Sequence, residues 1–283
     1  MGSDSLKIKF YDKILLKKIG SFFMLVGSFL SLIALFDSEF ICNNKISVLL
    51  TWLGLTIIYY CYTLITMNTI KNITLSIHGS TFEIKSGNIF DSNDLKVINF
   101  NEYFDTKVDN KLIAENSLNG KFIQNILKNE TKKLDDEIEK QLEEKIISIN
   151  QNRKSGKKKQ YNLGEIVEYD DYLLTSLTKF TDDNRAILSL KEYLEFLMNF
   201  WDNLDKIYAN RCVSITLFGS SSLTRFTDAY EINDQELIEI IIWTFKISKI
   251  KFKYPTKITM ILSNELVKKI NLYKIKEMYK NGL

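Results

Sequence analysis

The residues best suited to chemistry gather at 213–226, VSITLFGSSSLTRF. There an apolar, β-branched run stops at Gly219 and gives way to Ser220, Ser221, Ser222, Thr224 and Arg225. A turn without bulky side chains lets backbone N–H groups close on an anion, and hydroxyls and a guanidinium add further donors. The chemistry this suggests is phosphate binding, with an ordinary strand-to-helix loop as the competing reading. Val213, Ile215 and Leu217 alternate with Ser214 and Thr216, which predicts a strand before the turn. Asn233 and Glu236 have capping-box spacing and predict a helix from about Asn233.

Other chemistries find little support. The single histidine, His78, sits in a His-Gly-Ser turn, so a histidine-built zinc site or a Ser-His-Asp triad is not expected. Cys42, Cys61 and Cys212 are scattered and odd in number, which reads as free thiols in a reducing compartment. No metal and no cofactor are therefore expected. The 283 residues carry 38 basic and 35 acidic side chains, a net charge of +3, too mild a balance for a nucleic-acid partner. An apolar content of 45% supports a real core.

Three further segments suit a nucleotide. Gly87-Asn88-Ile89-Phe90 follows a strand pattern, and Val97 to Asn101 ends a strand in two amides, Asn99 and Asn101. Ser117-Leu118-Asn119-Gly120-Lys121 opens a predicted helix (117–128) whose N-terminus favours an anion. Together with the serine turn they supply amides for a base, donors for phosphates, and a lysine.

The elements that must position these residues fall into two textures. Residues 19–36 and 46–67 contain no charge, are apolar all round, and are long enough to cross about 30 Å of hydrocarbon. Two transmembrane helices are expected, with two buried core helices as the alternative. Trp52, Tyr59, Tyr60 and Tyr62 are candidate interfacial anchors. Gly20, Ser21, Gly27, Ser28 and Ser31 give the first span a small-residue face for close helix approach. The linker 37–45 is too short for a domain, so the spans form a hairpin. Lys7, Lys9, Lys13, Lys17 and Lys18 before it and Lys71 after it place both flanks in the cytoplasm. The expected division is a basic cytoplasmic segment (1–18), a membrane hairpin (19–67) and a cytosolic domain (71–283).

After residue 70 the pattern turns α/β. A hairpin is predicted around the His78 turn, strands at 96–100, 171–180 and 257–263, and helices at about 185–209 and 264–280. Leu134, Ile138, Leu142 and Ile146 recur every four residues through a charged segment, one apolar stripe read as packing, with a partner-helix role as the other option. The basic turn 153–159, RKSGKKK, reads as a solvated hairpin tip near lipid headgroups, polyanion binding being the alternative. One α/β domain follows, its sheet covered by helices on both faces, with the ligand beyond the carboxyl ends of the strands.

The order GNIF, VINFN-EYFDT, NSLNGKFI, YNLGEIV, DYLLTSLTKF, LFGSSSLTR resembles the macro domain over about residues 71–280, and more closely the macro domain of Thoeris anti-phage effectors that carry two N-terminal transmembrane helices. The resemblance implies a three-layer α/β/α domain with a mixed sheet. It matches Asn88 to the acidic residue that contacts the adenine amine, Asn99 and Asn101 to amides near the distal ribose, and Gly219 to Ser222 to the diphosphate loop. The ligand-binding set it implies is Asn88, Ile89, Asn99, Asn101, Asp105, Ser117, Asn119, Gly120, Lys121, Gly219, Ser220, Ser221, Ser222, Thr224 and Arg225. Ser117-Leu118-Asn119-Gly120 replaces the glycine-rich loop of hydrolytic macro domains, which argues against catalysis. Ser221 replaces the second glycine of the diphosphate turn, and serine adopts positive φ reluctantly.

What the resemblance implies is a non-enzymatic effector in the bacterial inner membrane. Its signal would be an ADP-ribose derivative, histidine-ADP-ribose, made by a partner TIR-domain synthase. On binding, the protein would homo-oligomerise and disrupt the bilayer, causing abortive infection. A membrane-tethered ADP-ribosyl hydrolase, with Asn99 or Asp105 orienting water, is the alternative. A membrane scaffold whose macro fold has lost its ligand is a third reading.

Overall fold

The computed structural model describes residues 7–220, 225–228, 232–248, 250–252 and 255–280. The chain begins with α1 (Lys13–Phe36), α2 (Ser38–Asn43) and α3 (Lys45–Thr69), followed by β1 (Asn72–Ile77), β2 (Ser80–Ser86) and β3 (Leu95–Asn101). Next come α4 (Leu118–Lys121), continued by a π-helical turn over Phe122–Ile126, then α5 (Lys132–Gln141), β4 (Ile146–Ile149), β5 (Lys159–Tyr161), β6 (Ile166–Tyr169), β7 (Tyr172–Phe180) and β8 (Ala186–Leu188). The last third holds α6 (Leu190–Ile207), β9 (Val213–Ile215), β10 (Arg225–Phe226), α7 (Asp234–Ile247), β11 (Lys257–Leu262), α8 (Asn264–Lys269) and α9 (Leu272–Lys280). Two compact units result, Met1–Ile73 with Lys268–Leu283, and Thr74–Val267.

In the first unit α1 and α3 are long and apolar enough to cross a membrane. Their large side chains face outward: Leu35 is 80% and Phe36 92% exposed, which is what lipid-facing helices show and core helices do not. The helices meet through Phe22 stacked on Tyr59 and Phe23 stacked on Trp52, with ring centroids 4.1 and 4.2 Å apart. A Cβ on Gly27 would lie 3.3 Å from the Trp52 ring, so the small-residue face serves packing within the chain. Trp52 thus packs in the seam between α1 and α3. The 37–45 linker is itself helical, with the Asp37 carboxylate accepting from the Phe40 N–H to cap α2. Ile8, Leu15, Met67 and Tyr273 of α9 form this unit's buried cluster.

The second unit is built on a nine-stranded mixed sheet in the order β1-β2-β11-β9-β3-β7-β8-β10, with β6 beside β7. β2, β11, β9, β3 and β7 run parallel, whereas β6 and β8 pair with β7 antiparallel. On one face Ile98, Phe100 and Leu174 pack against Phe122 of the π turn and Leu134 and Ile138 of α5, with Leu118 of α4 at the edge of the cluster. On the other, Phe245 of α7 meets Phe82 of β2 and Trp201 of α6, with centroids 5.2 Å apart in each pair. This is the expected three-layer arrangement. Alternation along the central strands divides their side chains between the two cores.

Several local expectations hold. His78 (φ 48°) and Gly79 (φ 84°) make the two-residue β1–β2 turn. The Asn233 capping box starts α7, and a second one, Ser189 with Glu192, starts α6. Others are corrected. Residues 186–188 form β8 and not the first turn of a helix, because they pair with Lys179 and Phe180. The stripe at 134–142 is core, but the helix stops at Gln141 and Ile146 opens a strand. The expected C-terminal helix breaks between Lys269 and Leu272 into α8 and α9. The basic segment at 153–159 is indeed the tip of the β4–β5 hairpin, but it is not wholly solvated: Arg153 is buried against Asp105.

Candidate functional site

A cavity of about 1070 Å³ opens at the carboxyl ends of β11, β9, β3 and β7, the position parallel α/β sheets reserve for ligands. Thr216 and Leu217 follow β9, Ser263 follows β11, Asn99 and Asn101 end β3, and Leu177 and Thr178 lie in β7; all line the cavity. The β3–β7 register shifts at Phe100/Asn101, so Asn101 pairs with Thr178, and this bulge re-aims both strands where the cavity begins.

Gly219 and Ser220 form the turn after β9. The Ser220 N–H donates to the Leu217 carbonyl at 3.4 Å while Gly219 has φ +81°, the pattern of a type II turn that needs a residue in the left-handed region. A Cβ there would lie 3.2 Å from the Phe226 ring and 3.5 Å from Tyr193. Tyr193 of α6 donates its hydroxyl to the Phe218 carbonyl at 2.9 Å, fixing the turn from below, and burial pushes its phenol well above the ordinary tyrosine range. Both Gly219 and Ser220 line the cavity. Ser221, Ser222, Thr224 and the side chain of Arg225 lie outside the described residues.

Asn88 lines the cavity from the β2–β3 connection, with its Oδ1 accepting from the Phe90 N–H at 3.3 Å and its Nδ2 donating to Asp91 at 3.2 Å. The oxygen retains a second lone pair for a ligand donor. Asn99 is different. Its Oδ1 is buried and accepts no hydrogen bond, a state that costs free energy unless a ligand supplies a donor.

At α4, Ser117 caps the helix by accepting from the Gly120 N–H, and Asn119 and the exposed Lys121 line the cavity beside it. Gly120 is required by packing: an added Cβ would lie 2.2 Å from the Ala114 carbonyl oxygen. It does not line the cavity, nor does Ile89, which is core.

Asp105 also stands apart. It accepts from both Arg153 Nη atoms at 3.1 and 2.6 Å, from the Lys157 N–H at 2.7 Å and from Asn101 Nδ2 at 2.9 Å, and it is 1% exposed. Asn101 Oδ1 meanwhile accepts from the N–H groups of Tyr103 and Asp105. Asn101 therefore lines the cavity with its amide already committed, and Asp105 serves to hold Asn101 and Arg153 in place.

Sequence reading missed two parts of the wall. The loop 110–116, folded by Asp109 accepting the N–H groups of Lys111 and Leu112, contributes Asn110, Lys111 and Asn116. Those bonds, led by that from Leu112, hold the Asp109 carboxyl below its usual range. The β7–β8 turn contributes Thr181, Asn184 and Arg185. Its Asp-Asp-Asn-Arg composition between two strands was the available signal. Among the described lining residues there are seven asparagines and three cations (Lys111, Lys121, Arg185), and no aspartate, glutamate or histidine. The arrangement suits an anionic, hydrogen-bond-rich ligand.

The family model for "Thoeris protein ThsA, Macro domain" matches residues 82–263. The chain is 39% identical over 246 residues to a Thoeris protein ThsA of Bacillus amyloliquefaciens (strain Y2), covering 84% of this chain and 81% of that one. Among solved structures it is similar to the Oceanobacillus iheyensis macrodomain with MES bound (TM-score 0.48, 16% identity, 74% of this chain and 98% of that chain). It is also similar to the same macrodomain with ADP (TM-score 0.43, 13% identity, 74% and 97%). On the two sequence matches, the chain belongs to the Thoeris ThsA family, with residues 82–263 as its macro domain.

Proposed function

We propose that the cavity receives an ADP-ribose-type signal, histidine-ADP-ribose, produced by a TIR-domain protein, and binds it without turning it over. The observation that carries this reading is the lining: amides, hydroxyls and three cations converge on about 1070 Å³, with no carboxylate among the described lining residues. A diphosphate fits beside Gly219 and Ser220, and the unpartnered Asn99 Oδ1 is an acceptor for a ribose hydroxyl or a base amine. Hydrolysis would need a group to activate water. Asp105, the acid the sequence offered for orienting water, is saturated by Arg153, Lys157 and Asn101.

The signal then drives self-association of the α1–α3 hairpins in the bacterial inner membrane, and their clustering disrupts it and aborts infection. A ligand shifts such an equilibrium only by its differential affinity for the assembled state, so filling the cavity must favour the contacts between copies. Sedimentation velocity of the full chain in detergent, with and without histidine-ADP-ribose, tests this. A faster-sedimenting species only with ligand, and intact ligand recovered afterwards, is expected. An unchanged distribution rejects the assembly step, and released free ADP-ribose rejects the non-enzymatic reading.

A further inference from the structure

Within the first unit, α1, α3 and α9 border a second cavity of about 630 Å³ that shares no lining residue with the nucleotide cavity. Its head is cationic, with Lys13, Lys17 and Lys18; its wall along the hairpin is apolar, with Phe22, Leu25 and Tyr59. The charge is only partly answered. Lys18 lies 3.6 Å from Glu277 and over the Tyr273 ring, whereas Lys13 and Lys17 are exposed and make no ion pair among the described residues.

These lysines also occupy the first turns of α1, where the helix dipole disfavours cations and the N-cap Asp12, accepting from the Ile14 N–H, is one carboxylate against three ammonium groups. An anion would relieve all of this, and the apolar wall calls for an anion carrying a hydrocarbon chain.

We propose that this cavity binds the phosphate headgroup of an anionic phospholipid through Lys13, Lys17 and Lys18, with an acyl chain along Phe22 and Leu25. A soluble phosphate would share the headgroup chemistry but leave the apolar wall uncovered. The site rests on α1 and α3 lying in a bilayer and is independent of what the nucleotide cavity binds. It ties α9, through Glu277 and the cavity it borders, to the state of the membrane.

The test uses the full chain in detergent containing equal phosphatidylglycerol and phosphatidylcholine, with retained lipid measured by mass spectrometry after gel filtration. Enrichment of phosphatidylglycerol is expected. Lys13→Gln/Lys17→Gln, at exposed positions of similar helix propensity, should lower that enrichment about 25-fold, at about fivefold per lysine. The charge-matched pair Lys132→Gln/Lys133→Gln, in the other unit, should leave it unchanged. Equal retention of the two lipids, an equal effect of both variant pairs, or displacement of phosphatidylglycerol by millimolar inorganic phosphate would overturn the proposal. Retention of neither lipid would instead reject the bilayer reading of the hairpin itself.

Discussion

Arg153 places its Nη2 2.6 Å from Asp105 Oδ2 with both side chains 1% exposed, joining the tip of the β4–β5 hairpin to the segment that follows β3. The guanidinium also stacks over the Tyr103 ring, its carbon 4.0 Å from the centroid, and donates to the Lys157 carbonyl and to Asn184 Oδ1. Since Asn184 lines the cavity at the strand ends, the pair ties a structural network to the candidate site's rim. Removing one charge strands the other in the interior. Asp105→Ala should therefore destabilise the domain by about 3–5 kcal/mol, while the apolar double substitution Asp105→Leu/Arg153→Met should recover much of the loss. Denaturant unfolding of the three proteins measures both.

Gly219 allows a second test. With φ +81° and a ring 3.2 Å from where a Cβ would stand, Gly219→Ala should cost about 1–2 kcal/mol of strain in unfolding experiments. Tyr193→Phe removes the hydroxyl that holds the Phe218 carbonyl and should cost about 1 kcal/mol or somewhat more. Both variants should weaken ADP-ribose binding more than they lower stability at 25 °C, because each loosens the same turn.

Lys111, Lys121 and Arg185 are exposed cations on a cavity wall that has no carboxylate among its described residues. Arg185→Gln and Lys121→Gln should each reduce ADP-ribose affinity by about tenfold, the loss of roughly 1.4 kcal/mol of charge-assisted binding. Wild-type affinity should fall as salt rises, and less steeply in the variants, since exposed charges are screened. Titrations at two ionic strengths read this directly.

Glu102 gives a pH dependence. Its carboxyl is raised by burial, which the Gln160 side chain and the Phe180 N–H offset only in part. Native protein therefore holds this proton where unfolded chain has lost it. The resulting stability is present below the unfolded value of about 4.3 and is lost as pH rises through the raised native value. Glu102→Gln keeps an acceptor for Phe180 and removes the titration. Its stability relative to wild type should improve as pH rises from about 4 toward neutral, as followed by denaturation midpoints.

Much of this was legible because it is local. The β1–β2 turn, the Asn233 cap and the strand before Gly219 are each set by neighbours within a few residues, and the uncharged runs that became α1 and α3 needed only length and composition. What sequence hid is non-local. Arg153 looked solvated within RKSGKKK because its partner lies 48 residues earlier. Asp105 looked available for a ligand for the same reason. Asn184 and Arg185 joined the site only because β7 and β8 pair antiparallel, which brings their turn over the ends of parallel strands. Residues 186–188, with an apolar stripe following, suited a helix until pairing with β7 decided otherwise.

The proposed ligand, an ADP-ribose-type anion, enters the macro cavity at the turn around Gly219. The most direct measurement is calorimetric titration of the detergent-solubilised full chain with ADP-ribose and histidine-ADP-ribose, alongside Gly219→Glu with its helix content confirmed. Saturable binding to the wild type, tighter for histidine-ADP-ribose and abolished by Gly219→Glu, is the predicted result. No heat of binding with either ligand, or equal affinity in a folded Gly219→Glu variant, would contradict it.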